Sequence, residues 1–316
     1  HKYYKLKKDV LNLPELHLYD VYVNLVSDNN NTYKFDDSKE TVINALSILG
    51  EDYINILKKG IEDRWIDVYP NRGKRTGGYS SGCYDTNPYI LLNYQDKYDD
   101  MSTLAHELGH SMHSYYTIKN NPYQYGHYSI FVAEVASTVN ELLLAKYIIK
   151  NSTNKNEKLF ILNRIMELFR ATFYRQAMFA EFEKKVYSMI EEEKAISVDI
   201  LCDEYYKLNK FYFGDNVYVD EDIKYEWERI PHFYYNFYVY KYATGLSVAS
   251  YIVNGLLEGK ITSDQYISFL KCGNSVSPLD SLKVTGVDLS NSKVFEEAVS
   301  MFDQTIEEFR KIYFDR

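Results

Sequence analysis

Residues His106 to His110, with the sequence His-Glu-Leu-Gly-His, form an HExxH motif and carry the residue types of a zinc-dependent hydrolytic site. Histidines at positions i and i+4 of a helix share one face, about 6 Å apart, so both imidazoles can reach one metal ion. Glu107 is then placed to take a proton from a water that the metal activates. Zinc lowers the pKa of such a water to roughly 7, and the resulting hydroxide can attack a peptide carbonyl. The motif therefore predicts a metallopeptidase.

The residues around the motif favour a helix. Asp99 and Asp100 are acids suited to a first helical turn. Apolar residues recur at helical spacing at Met101, Leu104, Ala105, Leu108 and Met112. The alternative interpretation is a helix whose histidines only face solvent or are satisfied in the core.

A catalytic zinc needs a third protein ligand and an open position for water. A metzincin would have a glycine at position 113 and a histidine at position 116, but the chain has His113 and Tyr116 there. The other route is a glutamate from a following helix. The apolar stretch Phe131–Glu141 carries Glu134, 24 residues after the motif ends. Glu134 is the predicted third ligand, and Glu141, on roughly the same face, is the rival that otherwise caps the helix or forms a surface ion pair.

Four stretches of the chain, in order, resemble oligoendopeptidase F, the bacterial branch of the thimet-oligopeptidase family of zinc peptidases. They are Lys74–Tyr84 running on to Pro88–Tyr94, Thr103–His113, Phe131–Thr138 and Ile230–Gly245. The resemblance extends from near residue 1 to the C-terminus. It agrees with one Zn²⁺ per chain held by His106, His110 and Glu134. The expected reaction is the internal cleavage of short, unstructured oligopeptides.

The same resemblance implies further residues of the site. Hydrogen-bond donors beside the oxyanion of the transition state can be worth roughly 3–4 kcal/mol. The resemblance implies that His232 and a downstream tyrosine fill this role, with Tyr240 the first choice and Tyr235 the second. It also implies that the strand within Gly77–Tyr84 lines the cleft, where it could pair with an extended substrate. Taken alone, the tyrosines predict core packing and the glycines a tight turn.

His113 lies one turn beyond the second histidine of the motif. A histidine at this place can orient a metal ligand from behind. It can equally be an ordinary core or surface histidine, and the sequence leaves both interpretations open.

Members of the family are much longer than this chain. The half that is absent here is the N-terminal one, which in the family forms one wall of the substrate channel. We therefore expect the catalytic half, with the N-terminal half of the same protein as a partner. One alternative is a related zinc carboxypeptidase or dipeptidyl carboxypeptidase, which would need a cation for the substrate's free carboxylate. Another is a non-catalytic peptide-binding half-channel, against which the intact Glu107 argues because a binder needs no base.

Composition limits the partners. The formal net charge of −9 over 316 residues argues against nucleic acid, because phosphate binding needs clustered Lys and Arg. No stretch of 18 apolar residues occurs, so no membrane partner is expected. Three cysteines, Cys83, Cys202 and Cys272, form no metal or disulfide pattern, and the chain starts without a signal-peptide pattern. A cytoplasmic location is therefore the expectation.

Periodicity and turn signals predict a mainly α fold, with one zincin-like catalytic domain over residues 1–316 and a small β-sheet or hairpin beside the zinc helix. The strand-like runs are Trp65–Tyr69, Gly78–Tyr84 and Tyr89–Leu92, the last two separated by a turn signal. Besides the zinc helix, the predicted helices are Ser38–Lys59, Ser129–Ile149, Glu157–Glu193, Ser197–Tyr212, Tyr234–Asn254, Thr262–Lys271 and Ser292–Tyr313.

Overall fold

The computed structural model describes residues 1–27 and 31–315. The chain divides into two compact units. The first unit comprises His1–Asp28, Asn154–Thr244 and Phe302–Arg316, and the second comprises Asn29–Thr153 and Gly245–Met301. The assignment of residues 1–316 to one catalytic domain stays a prediction.

Helices dominate both units, as the sequence predicts. Within the described residues the α-helices are, in chain order, α1 Lys2–Leu11, α2 Phe35–Leu46, α3 Glu51–Glu62, α4 Tyr98–Asn120, α5 Ile130–Asn151, α6 Lys155–Leu168, α7 Arg175–Glu191, α8 Val198–Phe213, α9 Tyr240–Leu257, α10 Ser263–Lys271, α11 Pro278–Lys283 and α12 Lys293–Phe314. A π-helical segment, Phe169–Tyr174, joins α6 to α7. Short 3₁₀ segments lie at Leu18–Tyr22, Ser47–Leu49, Tyr123–Tyr125, Glu221–Arg229 and Pro231–Tyr234. No helix among the described residues is long and apolar enough to cross a membrane.

A small sheet in the second unit confirms the predicted β element. Its strands are β1 Ile66–Asp67, β2 Tyr79–Ser81 and β3 Tyr89–Leu91, in the order β1-β3-β2. Strand β2 pairs antiparallel with β3, so that Ser80 faces Ile90, and β1 pairs parallel with β3. Strand β2 therefore lies at an edge of the described sheet.

Two predicted helices differ from the structure because the backbone turns into the left-handed region. The predicted helix Ser38–Lys59 is split into α2 and α3 at Gly50, whose φ is 95°. Such a φ is freely available to glycine but interrupts a helix. The helix predicted from Tyr234 begins only at Tyr240. Between these two residues Phe237 has a φ of 52°, a value that a right-handed helix excludes.

The first helix, α1, is absent from the sequence prediction because its lysines give it a polar character. Lys7 is nevertheless fully buried, and its ammonium group lies 3.3 Å from the carboxylate of Glu167 on α6. The hydroxyl of Tyr3 donates a hydrogen bond to the same carboxylate. The buried face of this helix therefore includes a lysine, so the spacing of apolar residues alone does not reveal it.

Candidate active site

Helices α4 and α5 pack with their backbones in close contact. A Cβ atom at Gly109 would lie 2.6 Å from the carbonyl oxygen of Ala136 and 2.6 Å from the Cα of Ser137, so only glycine fits. Further along, the side-chain amide of Asn140 donates to the carbonyl oxygen of Ala105 at 3.0 Å. Since residue numbers rise along α4 while their partners' numbers fall along α5, the two helices run antiparallel.

This contact leads to a prediction for Gly109. We expect Gly109→Ala to lower the free energy of unfolding by about 1–3 kcal/mol or more, because the added methyl group must push two helix backbones apart. Gly245→Ala is the matched control, since a Cβ on that residue of α9 meets nothing within 4 Å. Helix propensity alone should make the control variant about 1 kcal/mol more stable than the wild-type chain. Urea unfolding of both variants measures the difference, and equal stabilities would contradict the close contact.

Three side chains from these helices converge on one point. His106 and His110 of α4 and Glu134 of α5 each offer a ligand atom, and these atoms all lie within 4.8 Å of one another. The two Nε2 atoms are 3.1 Å apart, and each lies 3.4 Å from Oε2 of Glu134. A tetrahedral ion with ligands at roughly 2.0–2.1 Å separates its ligand atoms by about 3.3 Å. Two imidazoles and one carboxylate at this spacing fit a catalytic zinc ion.

The electrostatics of Glu134 and His106 favour positive charge at this point. Hydrogen bonds with His106 and then His110 hold the pKa of Glu134 well below its usual range, despite partial burial. Burial disfavours the charged form of His106, but hydrogen bonds with Glu134 and Glu141 outweigh burial and raise the pKa of His106 to about 10. The carboxylate is therefore ionised at neutral pH, which is the form that a metal needs.

Glu141, the rival ligand, lies on the other side of His106. Its carboxylate accepts a hydrogen bond from Nδ1 of that histidine. The Nε2 atom of His106 is thereby left to face His110 and Glu134. Metal-binding histidines commonly donate their second ring N–H to a carboxylate, which fixes the tautomer and the ring orientation. The geometry thus groups Glu134 with the histidines, while the ligand assignment itself stays a prediction.

Glu107 projects from α4 beside these groups and is 6% exposed. Burial raises the pKa of its carboxyl group, and the charges of His106 and His110, with a smaller contribution from the main-chain N–H of Ser80, partly offset the rise. The hydroxyl groups of Ser80 and Ser111 are 2.8 Å apart. Strand β2 is therefore tied to α4 on the face that carries Glu107. The strand was found from the sequence, but this contact was not.

Asn140 is a second residue that sequence reasoning left without a role. It is fully buried, and its side-chain oxygen accepts a hydrogen bond from the hydroxyl of Tyr53 on α3 at 3.3 Å. Its amide group holds the turn of α4 that precedes His106, as described above. The available signal was a polar residue in the otherwise apolar run of α5, because buried amides need hydrogen-bond partners.

His113 is a core histidine in this structure. It is 1% exposed, and its ring stacks on that of Tyr128 with 3.7 Å between centroids. Burial, together with charge on His110, lowers the pKa of His113 to about 3. The neutral, stacked ring favours the core interpretation over a contact with the two histidines of the motif.

His232 and Tyr240 belong to the first unit. The ring of His232 lies 5.7–6.2 Å, between centroids, from the rings of Tyr235, Tyr238 and Tyr242. Tyr240 stands at the start of α9, where its carbonyl oxygen accepts a hydrogen bond from the hydroxyl of Thr244. The structure thus brings the histidine together with the second-choice tyrosine, Tyr235. The roles of His232 and Tyr240 at an oxyanion stay predictions.

Comparison with known proteins gives one consistent set of relatives. A sequence profile described as Peptidase family M3 matches residues 1–301. The chain is 49% identical over 313 residues to Oligopeptidase PepF of Bacillus subtilis, covering 99% of this chain and 47% of that protein. It is 46% identical over 314 residues to an oligoendopeptidase F homolog of Borreliella burgdorferi, covering 98% and 53%.

A solved structure shows that the fold is also similar. The crystal structure of oligoendopeptidase-F from Enterococcus faecium superposes with a TM-score of 0.78 at 32% identity, covering all of this chain and 50% of that one. The chain therefore spans about half the length of the relatives that it matches.

Proposed function

The chain belongs to peptidase family M3, and we propose that it carries the zinc site and the general base of an oligoendopeptidase. The resemblance to oligoendopeptidase F noted from four stretches of sequence is confirmed. The observation that carries the proposal is the convergence of His106, His110 and Glu134 beside the buried Glu107. The proposed reaction is the internal hydrolysis of short, unstructured peptides, with one Zn²⁺ per chain held by these three ligands.

The chain's own groups supply the proton transfers. When bound, zinc would supply a Lewis acid that polarises the peptide carbonyl and makes water more acidic. Glu107 takes a proton from the attacking water and later delivers it to the leaving amine. Its raised pKa makes the carboxylate a stronger base than an exposed one, which favours the first transfer, and a pKa closer to neutral pH lets the same group hold the proton until the leaving amine takes it.

Strand β2 would bind the substrate. An edge strand can pair main chain to main chain with an extended peptide, which gives affinity without demanding a particular sequence. The side chains of Tyr79 and Ser81 are exposed, whereas Ser80 between them faces α4. A folded protein has most of its main-chain N–H and C=O groups paired internally, whereas an unstructured peptide has them free, so this mode of binding favours unstructured peptides.

The remaining groups would orient a metal ligand and stabilise the oxyanion. Glu141 would fix the ring of His106, because it accepts a hydrogen bond from the nitrogen opposite the proposed metal position. From the family resemblance we propose that His232 and a nearby tyrosine, Tyr240 or Tyr235, donate hydrogen bonds to the oxyanion. A His232→Ala variant with unchanged kcat would contradict that part of the proposal.

The test is hydrolysis of unstructured peptides of graded length, followed by mass spectrometry. We expect internal cuts that stop when a chelator is added and resume when zinc is restored. Removal of one or two residues from the C-terminus, with a requirement for a free carboxylate, would instead identify a carboxypeptidase. Stoichiometric zinc and peptide binding without any cleavage would identify a peptide-binding half-channel and overturn the proposal for this chain.

A further inference from the structure

Glu183 of α7 is a buried carboxylate in the first unit that the proposed reaction does not use. It is 4% exposed, and burial raises the pKa of its carboxyl group. Its oxygen Oε1 accepts a hydrogen bond of 2.6 Å from the main-chain N–H of Phe237. Burial of a carboxylate is costly unless hydrogen bonds compensate for the lost water. The hydrogen bond from Phe237 therefore offsets part of the cost of burying Glu183.

Phe237 has an unusual backbone. Its φ of 52° lies in the left-handed region, which an aromatic residue enters only when surrounding contacts hold it there. Its ring lies 4.6 Å, between centroids, from the ring of Tyr187. Glu183 and Tyr187 are one turn apart on α7, so a single helix face holds both the backbone and the ring of Phe237.

The residue next to Phe237 connects this anchor to the tyrosine cluster. The ring of Tyr238 lies 5.7 Å from the ring of His232 and 5.7 Å from that of Tyr242. The ammonium group of Lys241 lies 4.6 Å from the centre of the Tyr238 ring. The direction of the backbone at Phe237 therefore determines where the ring of Tyr238 lies. The position of that ring in turn determines what surrounds His232.

The local sequence favours another conformation for this segment. Its residue pattern predicts a helix from Tyr234 onward, whereas α9 begins at Tyr240. Extending the helix backward would turn every ring between these two residues by about 100° per residue. In an extended helix the N–H of Phe237 would bond to the carbonyl of Phe233, so its hydrogen bond to Glu183 opposes the extension.

We propose that Glu183 is a positioning residue, which anchors the left-handed turn at Phe237 and thereby fixes the presentation of His232 and its neighbouring tyrosines. The consequence for catalysis rests on the proposed function, in which these groups stabilise the oxyanion. A charge-assisted hydrogen bond from a main-chain N–H is stronger than a neutral one, which accounts for a carboxylate at a buried position.

The kinetic test compares Glu183→Leu with Glu183→Gln. Leucine fills the space without an acceptor, whereas the glutamine oxygen can still accept the Phe237 N–H. We expect Glu183→Leu to lower kcat for peptide hydrolysis about 10- to 100-fold, below the roughly 100- to 1,000-fold loss for deletion of an oxyanion donor. KM and zinc content should stay within about twofold of wild type, and Glu183→Gln should recover most of kcat.

Glu181→Leu provides the matched control. Glu181 lies on the same helix, and its carboxylate accepts a hydrogen bond from the hydroxyl of Tyr212 at 3.0 Å. This variant should keep the wild-type kcat. An unchanged kcat in Glu183→Leu, an equal loss in both Glu183 variants, or the same loss in Glu181→Leu would overturn the proposal.

Hydrogen–deuterium exchange gives a readout that needs neither activity nor a stable variant. In the wild-type chain the Phe237 amide should exchange at least about tenfold more slowly than in an unfolded peptide, although Tyr234 and Tyr235 beside it are 76% and 61% exposed. Free-peptide exchange at Phe237 would overturn the anchor itself. An anchored amide in a chain that cleaves no peptide would refute the proposed function and leave the anchor standing.

Discussion

Replacement of Glu107 by glutamine should abolish nearly all peptide hydrolysis while leaving zinc binding intact. General acid–base catalysis typically contributes about 100- to 10,000-fold, and glutamine can neither accept nor return the proton. The amide keeps the volume of the buried side chain and can still accept the N–H of Ser80, so the fold should not suffer. Steady-state kinetics and zinc analysis on the same preparation measure both quantities.

The control for this variant is Glu181→Gln, the same change at a carboxylate of the first unit that accepts a hydrogen bond from the hydroxyl of Tyr212. It should retain wild-type turnover. A Glu107→Gln chain that cleaves peptides within about tenfold of wild type would exclude Glu107 as the base, because the expected contribution is larger than that.

Replacement of Glu134 by alanine should remove zinc from the chain. The change deletes one of three converging ligand atoms, and the two remaining imidazoles make an incomplete site for a catalytic zinc. Glu141→Ala should bind zinc about 10- to 100-fold more weakly than wild type, because it loses only the partner that orients His106. Competition titration with a zinc-binding dye resolves the two affinities.

Thermal unfolding supplies an independent measure of the same pair. Zinc at 100 times its dissociation constant should stabilise the wild-type chain by about 2.7 kcal/mol, and this gain should vanish in Glu134→Ala. Retained zinc in Glu134→Ala together with lost zinc in Glu141→Ala would reverse the assignment of these two glutamates.

The sequence predicts how the two histidines of the motif are placed because their geometry is local. Spacing alone places His106 and His110 on one helical face, whatever the rest of the chain does. The choice of a third ligand is different, since Glu134 and Glu141 share a face of α5 and the register between the helices decides which of them meets the histidines. That register depends on the close contact at Gly109, which no periodicity encodes.

Tertiary contacts also explain what the sequence missed in the fold. The left-handed backbone of Phe237, which delays α9, coincides with a hydrogen bond to Glu183 some 54 positions earlier in the chain. Lys7 enters the core because Glu167 of α6 receives it. The hairpin of β2 and β3 was predictable from its turn signal. The contact of Ser80 with Glu107 was not predictable from the sequence, because it joins a strand to a helix that follows later in the chain.

The most direct test of the account is anomalous diffraction at the zinc absorption edge from crystals of the zinc-loaded chain. The account predicts a single strong peak at a distance of about 2.0–2.2 Å from Nε2 of His106, Nε2 of His110 and a carboxylate oxygen of Glu134. A peak bound by Glu141 in place of Glu134, or no peak between α4 and α5, would contradict it.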